Sequence, residues 1–169
     1  MKRIISTLAF GVFLLIGANL HAQDNVVPDM PMGYCGIGPV IAGSVDISRV
    51  PRKAQDFLKH HFKEYAVVQC EKEFDDNTYE LELSNGIDVE FDAGGDWREV
   101  EAGRSRVLAP NVVKKLVPDK TYKELLSRNV ASRVESVKRY SDGYKVEIKN
   151  AKFDDYRFAR DGKLVSVSD

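Results

Sequence analysis

The sequence predicts an α+β fold: two tandem units, each a helix followed by a four-stranded antiparallel sheet, behind a cleavable export signal. Three observations carry this reading. An amphipathic helical period follows Pro51. Short alternating apolar and polar runs, separated by turn residues, follow that helix. The whole pattern then recurs in the second half of the chain.

The first residues set the compartment. Lys2 and Arg3 form a basic start, and Ile4 to Ile16 is almost uninterrupted apolar sequence. Small and polar residues follow at Ala18, Asn19, His21 and Ala22. This order is that of a signal peptide over residues 1–22. The apolar run is shorter than the ~20 residues of a membrane-spanning helix, so no span is expected after cleavage. Cleavage after Ala22 would leave Gln23 first, although Leu20 is an imperfect residue at its position and leaves the exact bond open. No cysteine sits at the end of the apolar run, so a lipid anchor is not expected there. The address is therefore the periplasm or the exterior.

Residues 23–47 read as a linker, because Pro28, Pro31 and Pro39 alternate with Gly33, Gly36, Gly38 and Gly43. The first unit spans residues 48–103. Its helix carries Ala54, Phe57, Leu58, His61 and Phe62 on one face, with Pro51 suited to the first turn. Tyr65 to Phe74 reads as a strand, and Asp75-Asp76-Asn77 as a turn. Tyr79, Leu81 and Leu83 alternate with Glu80 and Glu82. Ser84-Asn85-Gly86 is a hairpin signal, after which Ile87, Val89 and Phe91 alternate with Asp88, Glu90 and Asp92. Gly94-Gly95-Asp96 turns the chain into a last strand, Trp97 to Val100.

The second unit spans residues 104–169. Pro110 to Val117 begins a short helix, Pro118 interrupts it, and Tyr122, Leu125 and Leu126 continue the helical period. Val130 to Tyr140 reads as a strand and Ser141-Asp142-Gly143 as the turn after it. Tyr144, Val146 and Ile148 then match Tyr79, Leu81 and Leu83, and Tyr156 and Phe158 match Val89 and Phe91. Gly162 matches Gly95, and Leu164 and Val167 match Trp97 and Val100.

The run Tyr79-Glu-Leu-Glu-Leu-Ser-Asn-Gly86, then Val89-Glu-Phe-Asp92, Gly95 and Trp97, preceded by Val50-Pro51 and Ala54 to Leu58, resembles the PepSY-like family. Its members are also called β-lactamase-inhibitor-like proteins and are exported by Gram-negative anaerobes. The resemblance covers residues 48–169 and is strongest in the first unit. The second departs from it, with Ala151 after Asn150 and Leu164 in place of the tryptophan. The resemblance implies that the two sheets combine into one larger curved sheet with the helices on one face. It implies no established activity and supplies no catalytic residues.

Composition excludes some classes. A formal net charge of -1 gives no general pull toward nucleic acid or anionic membrane. Triad or Cys-His chemistry needs an imidazole beside a nucleophile. His21 leaves with the signal, while His60 and His61 are neighbours on one helix and point apart. No enzyme activity, cofactor or metal site is therefore expected. Zinc-ligand spacing and EF-hand spacing are both absent. Cys35 and Cys70 are the two cysteines, and a disulfide between them is open to an exported chain.

Charge is unevenly distributed. From Glu71 to Glu101 there are twelve acidic and two basic residues; from Ala102 to the end there are nine acidic and sixteen basic. Alternation places Glu80, Glu82, Asp88, Glu90 and Asp92 opposite the apolar side of the first sheet, as a candidate acidic binding face. The expected function is that of an exported, non-catalytic binding module. Its partner would be an envelope protein or peptide, and inhibition of a peptidase or another envelope enzyme is one form this could take. A structural or assembly protein of the periplasm or cell surface, associating with itself through its polar halves, is the alternative.

Overall fold

The computed structural model describes residues 45–73 and 77–169. The expected signal peptide, the expected linker up to residue 44 with Cys35, and residues 74–76, with the expected turn residues Asp75 and Asp76, lie outside the described residues. The elements run α1 (Arg52–His61), β1 (Val67–Glu73), β2 (Thr78–Leu83), β3 (Ile87–Phe91), β4 (Trp97–Ala102), α2 (Pro110–Leu116), α3 (Asp119–Ser127), β5 (Val134–Arg139), β6 (Gly143–Ile148), β7 (Asp155–Ala159) and β8 (Leu164–Ser168). The strands form a single eight-stranded antiparallel sheet in chain order, so every connection except β4 to β5 is a hairpin. No helix among the described residues is long and apolar enough to cross a membrane.

Alternation builds the core. Leu81, Leu83, Val89, Phe91, Val100, Val137, Val146, Ile148 and Phe158 project to one side of the sheet and are almost fully buried. Ala54 and Leu58 of α1, Val113 and Leu116 of α2 and Leu125 of α3 close over them in one continuous cluster. Burying such side chains is the main force that holds helices on this side, at about 1.5–3 kcal/mol for each large one.

The duplication extends to backbone detail. Register shifts fall between Val67 and Gln69 in β1 and between Val134 and Ser136 in β5. They recur between Glu90 and Phe91 in β3 and between Arg157 and Phe158 in β7. The helix that corresponds to α1 is α3, not α2. Val50-Pro51-Arg52-Lys53-Ala54 repeats as Val117-Pro118-Asp119-Lys120-Thr121, and each proline caps its helix from an extended conformation. Lys53 Nζ reaches Asp96 Oδ2 at 2.6 Å, and Lys120 Nζ reaches Asp161 Oδ2 at 3.1 Å. Gly95 and Gly162 sit beneath those helix starts with φ of +83° and +81°. A Cβ on Gly95 would lie 2.8 Å from Pro51 Cβ, and one on Gly162 would lie 3.0 Å from Lys120 Cβ. Both glycines therefore answer to conformation and to space.

Three sequence expectations shift. The strand expected from Val130 begins at Val134, because α3 ends in a left-handed Asn129 (φ 57°) whose N–H donates to Leu126 O. Val130 N donates to Leu125 O in the same cap, a pairing that holds residues 130–133 out of the sheet. The first strand begins at Val67 rather than Tyr65, whose N–H closes a turn onto Phe62 O. Gly143, expected in a turn, is the first residue of β6 and pairs with Ala159.

Candidate binding face

The side of the sheet away from the helices is charged, and its register can be read as two rows. One row runs Glu71, Glu80, Glu90, Glu99 across β1–β4 and continues Lys138, Lys145, Arg157, Ser166 across β5–β8. The other runs Gln69, Glu82, Asp88, Glu101 and continues Ser136, Glu147, Asp155, Ser168. Neighbouring strands are ~4.8 Å apart, so like charges directly opposite each other cost stability. The first half carries seven carboxylates in these rows and no cation.

The second half resolves its own charge. Lys145 Nζ lies 2.8 Å from both Glu147 Oε1 and Asp155 Oδ2. Lys138 Nζ reaches back across the β4–β5 join to Glu99 Oε2 at 2.9 Å. By contrast, Glu80, Glu82, Asp88, Glu90 and Glu101 make no ion pair among the described residues. Glu73, Thr78, Glu80, Asp88, Glu90, Glu99 and Glu101 line a shallow cleft of about 150 Å³.

The carboxyl groups feel this crowding. Burial, then the charges of Glu82, Glu80 and Glu101, push Asp88 up to about 6. Glu80 is raised by burial and by Glu73, Glu71, Glu99 and Glu82. Glu90 and Glu101 are raised chiefly by burial and next by Glu99. At Glu99 burial outweighs the Lys138 contact, and its affinity for a proton rises too.

The shift at Asp88 has a testable consequence. The folded protein holds this proton at a higher pH than the unfolded chain does. Asp88 therefore costs stability above pH about 6, and the cost is relieved as pH falls toward 3.8. Asp88→Asn is expected to raise the thermal midpoint at about pH 8 and to leave it nearly unchanged at about pH 3.5. An equal loss at both pH values would show that Asp88 is held by structure and not repelled by its neighbours.

Of the five acidic residues singled out by alternation, the structure brings Glu80, Glu82, Asp88 and Glu90 onto one patch. Glu80 faces Glu90 and Glu82 faces Asp88 across β2–β3. Asp92 sits apart, at the β3–β4 turn. Its Oδ1 accepts the N–H groups of Gly94 (3.0 Å) and Asp96 (2.9 Å), and Arg98 approaches its Oδ2 at 4.0 Å. Glu99 and Glu101 complete the patch, although alternation in the first three strands did not point to them. The signal lay in Trp97-Arg-Glu-Val-Glu101, where Glu99 and Glu101 flank the buried Val100.

The remaining candidates are placed as follows. His60 is exposed; His61 lies against Phe57, with ring centroids 4.4 Å apart. Burial, then His60 and Lys115, lower the affinity of His61 for a proton. Cys70 is 1% exposed and disulfide-bonded, while Cys35 lies outside the described residues. Among the described residues no group of three or more His, Cys, Asp or Glu side chains converges as a metal-holding set.

No curated protein matches the chain. Among solved structures, a "putative periplasmic protein from DUF2874 family" of Bacteroides vulgatus is 26% identical, with a TM-score of 0.61 over 74% of this chain and 94% of that one. A "putative calcium-regulated periplasmic protein" of Bacteroides thetaiotaomicron is 24% identical, with a TM-score of 0.61 and the same coverage of 74% and 94%. A "putative periplasmic protein of unknown function" of Bacteroides vulgatus is 20% identical, with a TM-score of 0.59 over 73% and 95%. The sequence profile of a family described as "Putative beta-lactamase-inhibitor-like, PepSY-like" matches twice, at residues 41–89 and 77–166. With most of the chain covered by that pair of matches and the duplicated sheet behind them, this protein belongs to the PepSY-like family.

Proposed function

We propose that the chain is an exported, non-catalytic module that binds a cationic segment of an envelope protein or peptide on the outer face of β1–β4. One observation carries this reading: Glu80, Glu82, Asp88, Glu90 and Glu101 share a face and make no ion pair among the described residues, while the adjoining half of the same sheet is internally paired. Such a face is costly to the isolated protein and is relieved by a ligand of opposite charge. Export is supported by the signal-like first residues and by relatives described as periplasmic. A non-catalytic role is supported by the histidines: His60 is exposed, and His61 packs on an aromatic ring rather than beside a nucleophile. Blocking an envelope enzyme by covering a basic surface on it is one use such a face would serve.

The test is a titration of the purified protein with an oligolysine peptide of about eight residues at several salt concentrations. Saturable binding that weakens steeply with salt is expected. The triple substitution Glu80→Gln, Asp88→Asn, Glu90→Gln should reduce affinity by tenfold or more while the protein stays folded. Binding that ignores salt, or that survives the triple substitution, would overturn the reading.

A further inference from the structure

A second cleft, of opposite character, lies where the two units meet. It is lined by Asp96, Arg98, Arg139, Tyr140, Ser141, Tyr144 and Arg160 and encloses about 240 Å³. Four separate parts of the chain supply it: the start of β4, the end of β5 with its turn, the start of β6, and the β7–β8 turn. Three guanidinium groups therefore face a space with one carboxylate in its wall.

That carboxylate is already committed. Asp96 Oδ1 accepts from Arg139 Nη2 at 2.9 Å, and its Oδ2 accepts from Lys53 Nζ at 2.6 Å. Both contacts hold Asp96 ionised well below the usual carboxylate range. Arg139 is fixed on its other side by the Trp97 ring, 5.0 Å from its guanidinium carbon, and Trp97 stacks on Tyr144 at 6.5 Å. Arg139 is thus held in place with donors to spare. Arg98 has only a 4.0 Å approach to Asp92, and Arg160 makes no ion pair or hydrogen bond among the described residues. The hydroxyls of Tyr140, Ser141 and Tyr144 are likewise unbonded among the described residues.

From this arrangement we infer that the cleft binds the carboxylate of a small organic acid or of an acidic peptide side chain, gripped by Arg98, Arg139 and Arg160 with tyrosine hydroxyls as further donors. Guanidinium forks match a planar carboxylate in two parallel hydrogen bonds. The space is below the ~300–1,000 Å³ of sites that enclose drug-sized molecules, which suits one acidic group with a short stem. Asp96 in the wall repels a phosphate, which brings up to two charges on one group, more than a carboxylate group, which brings one. The site stands independently of the acidic face, since it shares with the cleft on that face neither a residue nor a sign of charge.

Trp97 is the one tryptophan of the sequence, so its fluorescence reports on the cleft directly. The experiment titrates the full protein with sodium succinate, a blocked Ala-Glu-Ala tripeptide, inorganic phosphate and sodium chloride, all at constant ionic strength. Succinate or the tripeptide should give a saturable change that chloride does not. Saturation by succinate alone assigns a free organic acid, and saturation by the tripeptide assigns a chain-borne carboxylate. Arg160→Gln and, separately, Arg98→Gln should weaken binding about tenfold, with the thermal midpoint unchanged. A response no different from chloride, tighter binding of phosphate than of either carboxylate, or full affinity in both arginine variants would each overturn the assignment.

Discussion

Gly143→Ala is expected to be the most damaging single-methyl change in the chain, with loss of about 3 kcal/mol or more of folding stability. A Cβ at this position would lie 1.9 Å from the carbonyl oxygen of Phe158 and 2.9 Å from its carbon. Both obstacles are backbone of the paired strand β7, so no rotamer change makes room. The β6–β7 ladder would have to part at the Gly143–Ala159 pair, next to the fully packed Phe158. Chemical denaturation of the purified variant, followed by circular dichroism, measures the effect. Stability within about 0.5 kcal/mol of the parent would mean that β6 and β7 do not approach in this register.

Phe91→Ala should cost a comparable amount, about 3–5 kcal/mol, by a different route. Phe91 is 0% exposed and ends β3 at the register shift, opposite Trp97. The Phe57 ring of α1 meets it edge-on at 5.5 Å and 81°, and Phe57 itself stacks on Trp97 at 6.0 Å. Removing the ring leaves a cavity between α1 and the sheet and takes away the edge-on contact with Phe57. The same denaturation experiment applies, with Trp97 emission as a local probe. A loss below about 1 kcal/mol would show that the α1–sheet layer closes over the gap and is less rigid than its packing implies.

How much of this could be read from residues alone depends on the length scale of each signal. The strands were legible because alternation is local: Tyr79 to Leu83 and Ile87 to Phe91 carry their period within five residues. Their order in one sheet was accessible through hairpin turns and the recurrence of Tyr79-x-Leu-x-Leu as Tyr144-x-Val-x-Ile. The true partner of α1 was harder to see. The repeated Val-Pro-x-Lys at 50–53 and 117–120 is only four residues long, and the intervening α2 looks like the more obvious helix start. The end of α3 was invisible to period counting, since Val130 and Ala131 are buried in a cap and not in a strand. Left-handed positions also drift between copies: Gly86 (φ 75°) takes that role in the first, but in the second it moves to Asn150 (φ 51°), because Ala151 would pay for it. The acidic patch was half legible. Four of its members alternate within hairpins, but the contributions of Glu99 and Glu101 depend on cross-strand register, and so does the isolation of Asp92. The arginine cleft was not legible, because Arg98, Arg139 and Arg160 are brought together only by strand pairing from β4 through β7.

That join also bears on how many copies the fold can chain together. It is a head-to-tail contact, the last strand of one unit against the first of the next, and a contact of this kind, when repeated, gives a closed ring or an open array. A further copy docking its β1 onto β8, the last strand among the described residues, would repeat that contact. At the existing join Glu99 meets Lys138 on one face of the sheet and Asp96 meets Arg139 on the other. The register equivalents at the two outer edges are Ser166 with Glu71 and Lys163 with Lys72. Neither outer pair repeats the opposite charges of the inner join. The divergence of the two copies thus leaves the opposite-charge pairs of the inner join without counterparts at the outer strands, among the described residues.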